Sequence, residues 1–170
     1  CSRVASAADD LAFKPEINCA FELGAKYNGS WIDLNFTLFR EVFRNFQLNT
    51  FNGLNFVVEN INSCSEDLNG ADSDNSDLTG ACTGNVRGGV VSKGFELEAF
   101  THPLADVQWN AGLVMADVRY RNNLVGGDGE PLTSALFQLP GRQISNAPKW
   151  TATTSIAWTP PIGGSGMHGL

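Results

Sequence analysis

Residues 17–38 read INCAFELGAKYNGSWIDLNFTL. From Ile17 the odd positions Cys19, Phe21, Leu23, Ala25 and Tyr27 share one side of an extended chain. Asn18, Ala20, Glu22, Gly24 and Lys26 share the other. After Asn28-Gly29-Ser30 the alternation resumes, with Ile32, Leu34, Phe36 and Leu38 opposing Asp33, Asn35 and Thr37. A period of two on both sides of an Asn-Gly turn predicts an antiparallel hairpin, each strand with one apolar and one polar face.

The same period returns three times. In 94–99, Phe95, Leu97 and Ala99 oppose Glu96 and Glu98. In 107–115, Val107, Trp109, Ala111, Leu113 and Met115 oppose Gln108, Asn110 and Gly112. In 150–158, Trp150, Ala152, Thr154, Ile156 and Trp158 oppose Thr151, Thr153 and Ser155. No stretch repeats at the helical period. The predicted class is all-β and antiparallel.

The connections alternate in length. NGS joins the first two strands, THPLAD the third and fourth, and TPPIGGSG follows the fifth as a breaker cluster. Segments 39–90 and 121–146 are long, the first with a smaller hairpin predicted at Asn52-Gly53. Short turns at one end and long loops at the other are the pattern of an outer-membrane barrel. Tyr27, Trp31, Trp109 and Trp158 fall at the short-turn ends, and Trp150 at the long-loop end. On a barrel these would form two interfacial girdles, because the rings are apolar while an O–H or N–H reaches water. The same geometry sends the apolar sets to lipid. It sends Glu22, Asp33, Asn35, Glu96, Glu98, Gln108 and Asn110 to the lumen. The opposite register would place carboxylates in lipid at a cost of several kcal/mol each.

Composition agrees. The 170 residues are 17% charged and 42% hydrophobic with a mean hydropathy of −0.12, against about 25% charged in a typical soluble domain. No run approaches the ~18 apolar residues of a transmembrane helix. The net charge of −7 and pI near 4.7 argue against a nucleic-acid partner. Five crossing strands cannot close a barrel, since the small ones need about eight. The chain is therefore expected to be a portion of a larger barrel, or to pair with other chains.

Of the four cysteines, Cys64 and Cys82 bracket the polar stretch SEDLNGADSDNSDLTGA. Such a loop has no core to bury, which predicts a disulfide staple and an oxidising compartment. Cys1 and Cys19 are left open as a second pair. No C-x-x-C occurs, and His102 and His168 lie far from any cysteine, so no zinc site is expected.

In this order the segments resemble the C-terminal part of the barrel in TonB-dependent outer-membrane receptors, over about residues 11–160. LAFKPEINCAFELGAKYNGS resembles the family's FKPE strand through Phe13-Lys14-Pro15-Glu16, with Glu22-Leu23-Gly24 and Lys26. LNFTLFREVFRNFQLNTFNG resembles the next through Asn45-Phe46-Gln47. VSKGFELEA resembles a strand running from Gly94 to Glu98. WNAGLVMADVRY resembles the strand that ends in Asp117 and Tyr120. GRQISNAPKWTATTSIAW resembles the strand opening at Asn146 to Trp150. The stretch around 62–89 departs from the pattern by its length.

The resemblance implies an active importer with about 22 strands and a plug, coupled through the plug to the periplasmic protein TonB. It places 1–170 as a partial barrel, with 46–90 a long extracellular loop carrying the disulfide-bracketed insertion. The plug and most of the barrel are not in this sequence. The implied partners are outer-membrane lipid, the remaining strands, the plug, TonB and a small-molecule ligand. The implied location is the outer membrane of a Gram-negative bacterium, as a multi-pass β-barrel. An iron–siderophore complex is the expected cargo. Alternatives are oligosaccharide or cobalamin import by the same family, a passive porin-type or adhesive barrel, and a soluble secreted β-sandwich such as a carbohydrate-binding module.

No catalytic constellation is present: both histidines are read as lying in turns with no nucleophile nearby, and neither enzyme activity nor a cofactor is expected. Gly126-Gly127-Asp128-Gly129 precedes no helix and is read as a loop tip. The acidic residues Glu66, Asp67, Asp72, Asp74 and Asp77 miss the calcium-loop spacing and are read as a solvated surface loop. Arg119, Tyr120 and Arg121, where a strand leaves the membrane outward, are candidates for lining a ligand vestibule.

Overall fold

The computed structural model describes residues 2–3, 13–51, 54, 56–73, 80–162 and 167–168. Its strands are β1 (Ser2–Arg3), β2 (Ile17–Asn28), β3 (Ile32–Arg44), β4 (Phe46–Phe51), β5 (Phe56–Cys64) and β6 (Val86–Gly88). They continue with β7 (Val90–Leu104), β8 (Val107–Tyr120), β9 (Leu124–Gly126), β10 (Trp150–Trp158), β11 (Pro161–Ile162) and β12 (Met167–His168). One 3-10 turn spans Ser134–Leu136. Among the described residues no helix is long and apolar enough to cross a membrane, which says nothing of crossing by strands.

The long strands form one sheet in the order β1-β2-β3-β7-β8-β10. Each of the five predicted strands lies in one of them. Three run further than the alternation foretold: β3 to Arg44, β8 to Tyr120, and β7 in both directions from Val90 to Leu104. The turn after β7 is therefore Ala105-Asp106 rather than the whole of THPLAD. His102 is a strand residue whose amide donates to the Trp31 carbonyl at 2.9 Å. The backbone of His168 likewise lies in a strand, β12, which pairs with β11. Pro103 is the penultimate residue of β7, where one missing donor is tolerated.

The chain divides into two compact units. One comprises Cys1–Phe21, Arg40–Lys93 and Asp117–Ala147. The other comprises Glu22–Phe39, Gly94–Ala116 and Pro148–Leu170.

In the second unit the strands carry the alternating sequence. Strand β10 pairs β8 from Trp150↔Met115 to Trp158↔Val107, so Trp109 stands opposite Ile156 and Leu113 opposite Ala152. Opposed residues share a face, and these are the apolar ones. Phe95 joins the same face, 6.1 Å from Phe36 and 6.0 Å from Trp150 between ring centroids. That face is uncovered: Leu23 is 60% exposed and Ile156 71%. A monomeric soluble protein rarely exposes so continuous an apolar surface. Its polar atoms are nonetheless satisfied within the sheet. The Trp109 indole N–H donates to Thr154 Oγ1 at 2.8 Å, and the Thr154 hydroxyl donates to the Asn110 carbonyl.

The first unit has a buried core of its own. Strands β4, β5 and β6 form a second antiparallel sheet, with β9 also pairing β5. Phe51 lies opposite Phe56 in the β4–β5 hairpin; its predicted tip, Asn52-Gly53, lies outside the described residues. Ile61, Val90, Tyr120, Leu124, Leu132 and Leu136 are buried together, with Phe43, Phe46 and Val118 against them. This explains why β3, β7 and β8 outran their alternation. In this unit the positions that are polar further along each strand become Phe43, Val90, Val118 and Tyr120, so the period-two contrast fades.

Asparagine does much of the turning. Among the described residues every non-glycine with positive φ is asparagine: Asn45, Asn69, Asn123 and Asn146. Its short amide tolerates the left-handed region better than any branched side chain. Asn45, between β3 and β4, is held by Asn62. The Asn62 Oδ1 accepts from the Asn45 amide at 2.8 Å, and its Nδ2 donates to Asn45 Oδ1 at 2.7 Å and to the Gly127 carbonyl at 3.0 Å. Asn62 is buried, and these bonds offset its desolvation.

Candidate functional site

The residues expected on the lumen face stand on β2, β3, β7 and β8. Asn35 Nδ2 donates to Glu98 Oε2 at 3.1 Å, so two of them meet across neighbouring strands. Gln108 Nε2 and His102 Nε2 lie 3.2 Å apart. Glu98, Asn110, Gly112, Thr153 and Ser155 line a groove of about 170 Å³ with three flanking residues. Among the described residues Glu22, Asp33 and Glu96 make no side-chain hydrogen bond or ion pair. Tyr27, Trp31, Trp109, Trp158 and Trp150 are all exposed.

In the other unit Cys64 and Cys82 are bonded, with Cα atoms 5.4 Å apart. The pairing of Cys1 with Cys19 was left open by the sequence, and Cys1 lies outside the described residues. The bridged segment is less bare than its composition implied. Leu68 and Ala71 are buried with Cys64 and Val125, so the disulfide is part of a small core. The solvated reading of the acidic residues holds for the exposed Glu66 and Asp67 and is corrected for Asp72. Asp72 is buried, and its Oδ2 accepts from the Leu124 amide at 3.0 Å. Glu66 accepts from the Thr83 hydroxyl and Asp67 from the Asn69 amide. Asp74 and Asp77 lie outside the described residues, among which no cluster of metal-ligating side chains occurs.

The glycine-rich stretch is a tight turn rather than a free tip. Gly126 closes β9, Gly129 has φ +90°, and the Gly129 carbonyl accepts from the Cys82 amide at 2.8 Å. Beside it lies a cavity of about 220 Å³ whose lining includes Lys14, Glu59, Asn60, Asp128, Glu130 and Thr133. Lys14 pairs with Asp128. Glu59 accepts from the Thr50 hydroxyl at 2.7 Å and the Thr133 hydroxyl at 2.8 Å.

Arg119, Tyr120 and Arg121, the expected vestibule residues, all line one cleft of about 340 Å³ with Arg40, Val91, Lys93 and Asp117. The Tyr120 side chain also packs in the core, 6.2 Å from the Phe46 ring, and burial pushes its phenol above the usual range. Arg40 and Lys93 were not singled out by the sequence. The signal was present but unread: each is the next residue in its strand's apolar series, after Leu38 and before Phe95.

The family model described as TonB dependent receptor-like, beta-barrel matches residues 3–169. The chain belongs to this TonB-dependent receptor family. It is a family of outer-membrane transporters of Gram-negative bacteria rather than of enzymes, whose members combine a barrel with a plug and engage TonB. No curated protein matches the chain, and no solved structure does. Family membership accounts for strands with one apolar and one polar face. In the receptor, the long connections between β3 and β7 and between β8 and β10 build the core and the disulfide-bonded unit.

That unit carries a prediction. Separating Cys64 and Cys82, 18 residues apart, by reduction is expected to destabilise it by about 3 kcal/mol. Hydrogen exchange of the full-length receptor in detergent checks this. Amides of 61–73 and 124–130 should lose protection while those of 107–115 keep theirs. Unchanged protection at 61–73 would mean that the small core holds without its bridge.

Proposed function

We propose that this chain supplies part of the wall and outer loops of an energy-coupled import receptor, and that its cargo is an iron–siderophore complex. The uncovered apolar face of β2, β3, β7, β8 and β10 meets lipid, and Glu22, Asp33, Asn35, Glu96, Glu98, Gln108 and Asn110 face the lumen. The exposed aromatics form the interfacial girdles. The observation that carries the transport reading is this division of faces within a chain of the TonB-dependent receptor family. A soluble sandwich would bury that face against a second sheet. The cargo reading is supported by a loop unit with its own core and disulfide, because a fixed outer surface binds a scarce ligand with less ordering cost than a floppy one.

Deleting the full-length gene is expected to abolish growth on one ferric siderophore as sole iron source, with growth on free iron salts retained. Loss of growth on cobalamin or an oligosaccharide instead would transfer the cargo to the alternatives. Uptake that persists without TonB would replace the receptor reading by a passive pore.

A further inference from the structure

Residues Phe13-Lys14-Pro15-Glu16 lead into β2, and their backbone is tied to the base of the β4–β5 hairpin. The Lys14 amide donates to Asn60 Oδ1, and the Lys14 carbonyl accepts from Asn60 Nδ2 and Gln47 Nε2, each at 3.0 Å. The Pro15 carbonyl accepts from Asn45 Nδ2 at 3.3 Å, and Glu16 Oε2 accepts from the Gln47 amide at 3.2 Å. The turn from Gly126 to Glu130 lines the same cavity of about 220 Å³ and is fixed from other directions. The Gly127 carbonyl accepts from Asn62 Nδ2 at 3.0 Å, and the Gly129 carbonyl from the Cys82 amide at 2.8 Å. The Asp128 amide donates to Glu130 Oε2 at 2.6 Å.

One connection between these two walls is of another kind. Lys14 Nζ pairs with Asp128 Oδ1, although the Lys14 side chain is 46% exposed and that of Asp128 76%. An exposed ion pair holds weakly and is screened by salt, and a lysine ammonium rides on a flexible four-carbon stem. Lys14 is the one cation among the lining residues, against Glu59, Asp128 and Glu130. Glu59 already accepts from the Thr50 and Thr133 hydroxyls, and Glu130 from the Asp128 amide. Asp128 is the carboxylate left for Lys14.

We propose that the Lys14 side chain is a charge-held gate on this cavity. Paired with Asp128 it keeps solutes from the inner wall, where Leu132 is buried. Released, it leaves that wall open. The backbone on both sides is held by its own hydrogen bonds, so opening moves one side chain and leaves the hairpin and the turn in place. Ionic conditions outside the chain set the balance, because screening weakens the pair and leaves the short-range hydrogen bonds of the two walls intact. The proposal concerns the loop unit alone and depends neither on the cargo nor on which face meets lipid.

A thiol placed on the inner wall reports the gate. The full-length receptor carrying Leu132→Cys is treated in detergent with methyl methanethiosulfonate, whose access does not itself depend on charge, and modification at 132 is followed by peptide mass spectrometry. Raising sodium chloride from about 0.01 M to about 1 M is expected to speed modification about fivefold. Adding Lys14→Met or Asp128→Asn should give the fast rate at both salts, and Lys14→Arg should keep the slow rate at low salt. Exchanging the charges, Lys14→Asp with Asp128→Lys, should restore the slow, salt-sensitive rate, which a purely steric role for Lys14 would not do. Salt-independent modification of the Leu132→Cys receptor would overturn the proposal, as would a folded charge-exchanged variant that stays fast. Should Leu132→Cys not assemble, hydrogen exchange at the Leu132 and Thr133 amides of the wild type and the Lys14 variants carries the same comparison.

Discussion

A receptor carrying Leu113→Arg is expected to accumulate little folded barrel in the outer membrane, while Asn110→Arg assembles close to the wild type. Both positions lie on β8 and both pair with β10, Leu113 with Ala152 and Asn110 with Ser155. They differ in face. Leu113 shares its side with Trp109 and Met115, the side proposed to meet lipid. An arginine there costs about 2–4 kcal/mol near the bilayer midplane. Asn110 lies on the groove side with Glu98, where an added cation stays in water beside an acid. Leu34→Arg against Asn35→Arg on β3 repeats the comparison. The folded fraction is read from the shift in electrophoretic mobility between unheated and heated membranes. Equal loss in both members of each pair would remove the face assignment, and with it the lipid-contact proposal.

Gly94→Val is the second large effect. A Cβ at Gly94 would run into the backbone carbonyl of Met115 and the ring of Phe39. A backbone carbonyl in a paired strand cannot swing aside, so β7 would have to separate locally from β8. The expected penalty is about 3 kcal/mol or more, enough to prevent assembly. Gly112→Ala is the control. There the added Cβ approaches only Thr153 Oγ1, a small side chain that can rotate away. The same mobility measurement should find Gly112→Ala assembled and Gly94→Val absent. If Gly94→Val folds normally, the close approach of β7 and β8 is not required.

The strands of the second unit were legible because each has one uncovered face and one polar face. That condition writes a period of two directly into the sequence, as in Val107 to Met115. The hairpin at Gly29 was legible for a local reason, since the Gly29 amide bonds the Ile32 carbonyl within four residues of chain. His102 was misplaced because its pairing with the neighbouring strand, through the Trp31 carbonyl, is a contact that local sequence does not display.

The candidate sites divide in the same way. Cys64 and Cys82 were legible as a pair from the polar stretch between them. The burial of Leu68, Ala71 and Asp72 was not, because it depends on Val125 and Leu124, more than fifty residues later in the chain. Arg119, Tyr120 and Arg121 were legible as a group because they are adjacent in sequence, and they line one cleft; the packing of the Tyr120 ring on Phe46 was not legible, because Phe46 is far away in the chain. Arg40 and Lys93 join Arg119 in one cleft only through the order β3-β7-β8.

The sequence by itself determined the strand class, the two faces and the family, because these follow from local periodicity repeated along the chain. Tertiary structure alone decided that the long connections fold around a core of their own, and that cations from three strands form one cleft. Those features arise from contacts between segments far apart in the chain, and no period in the sequence records which segments will meet.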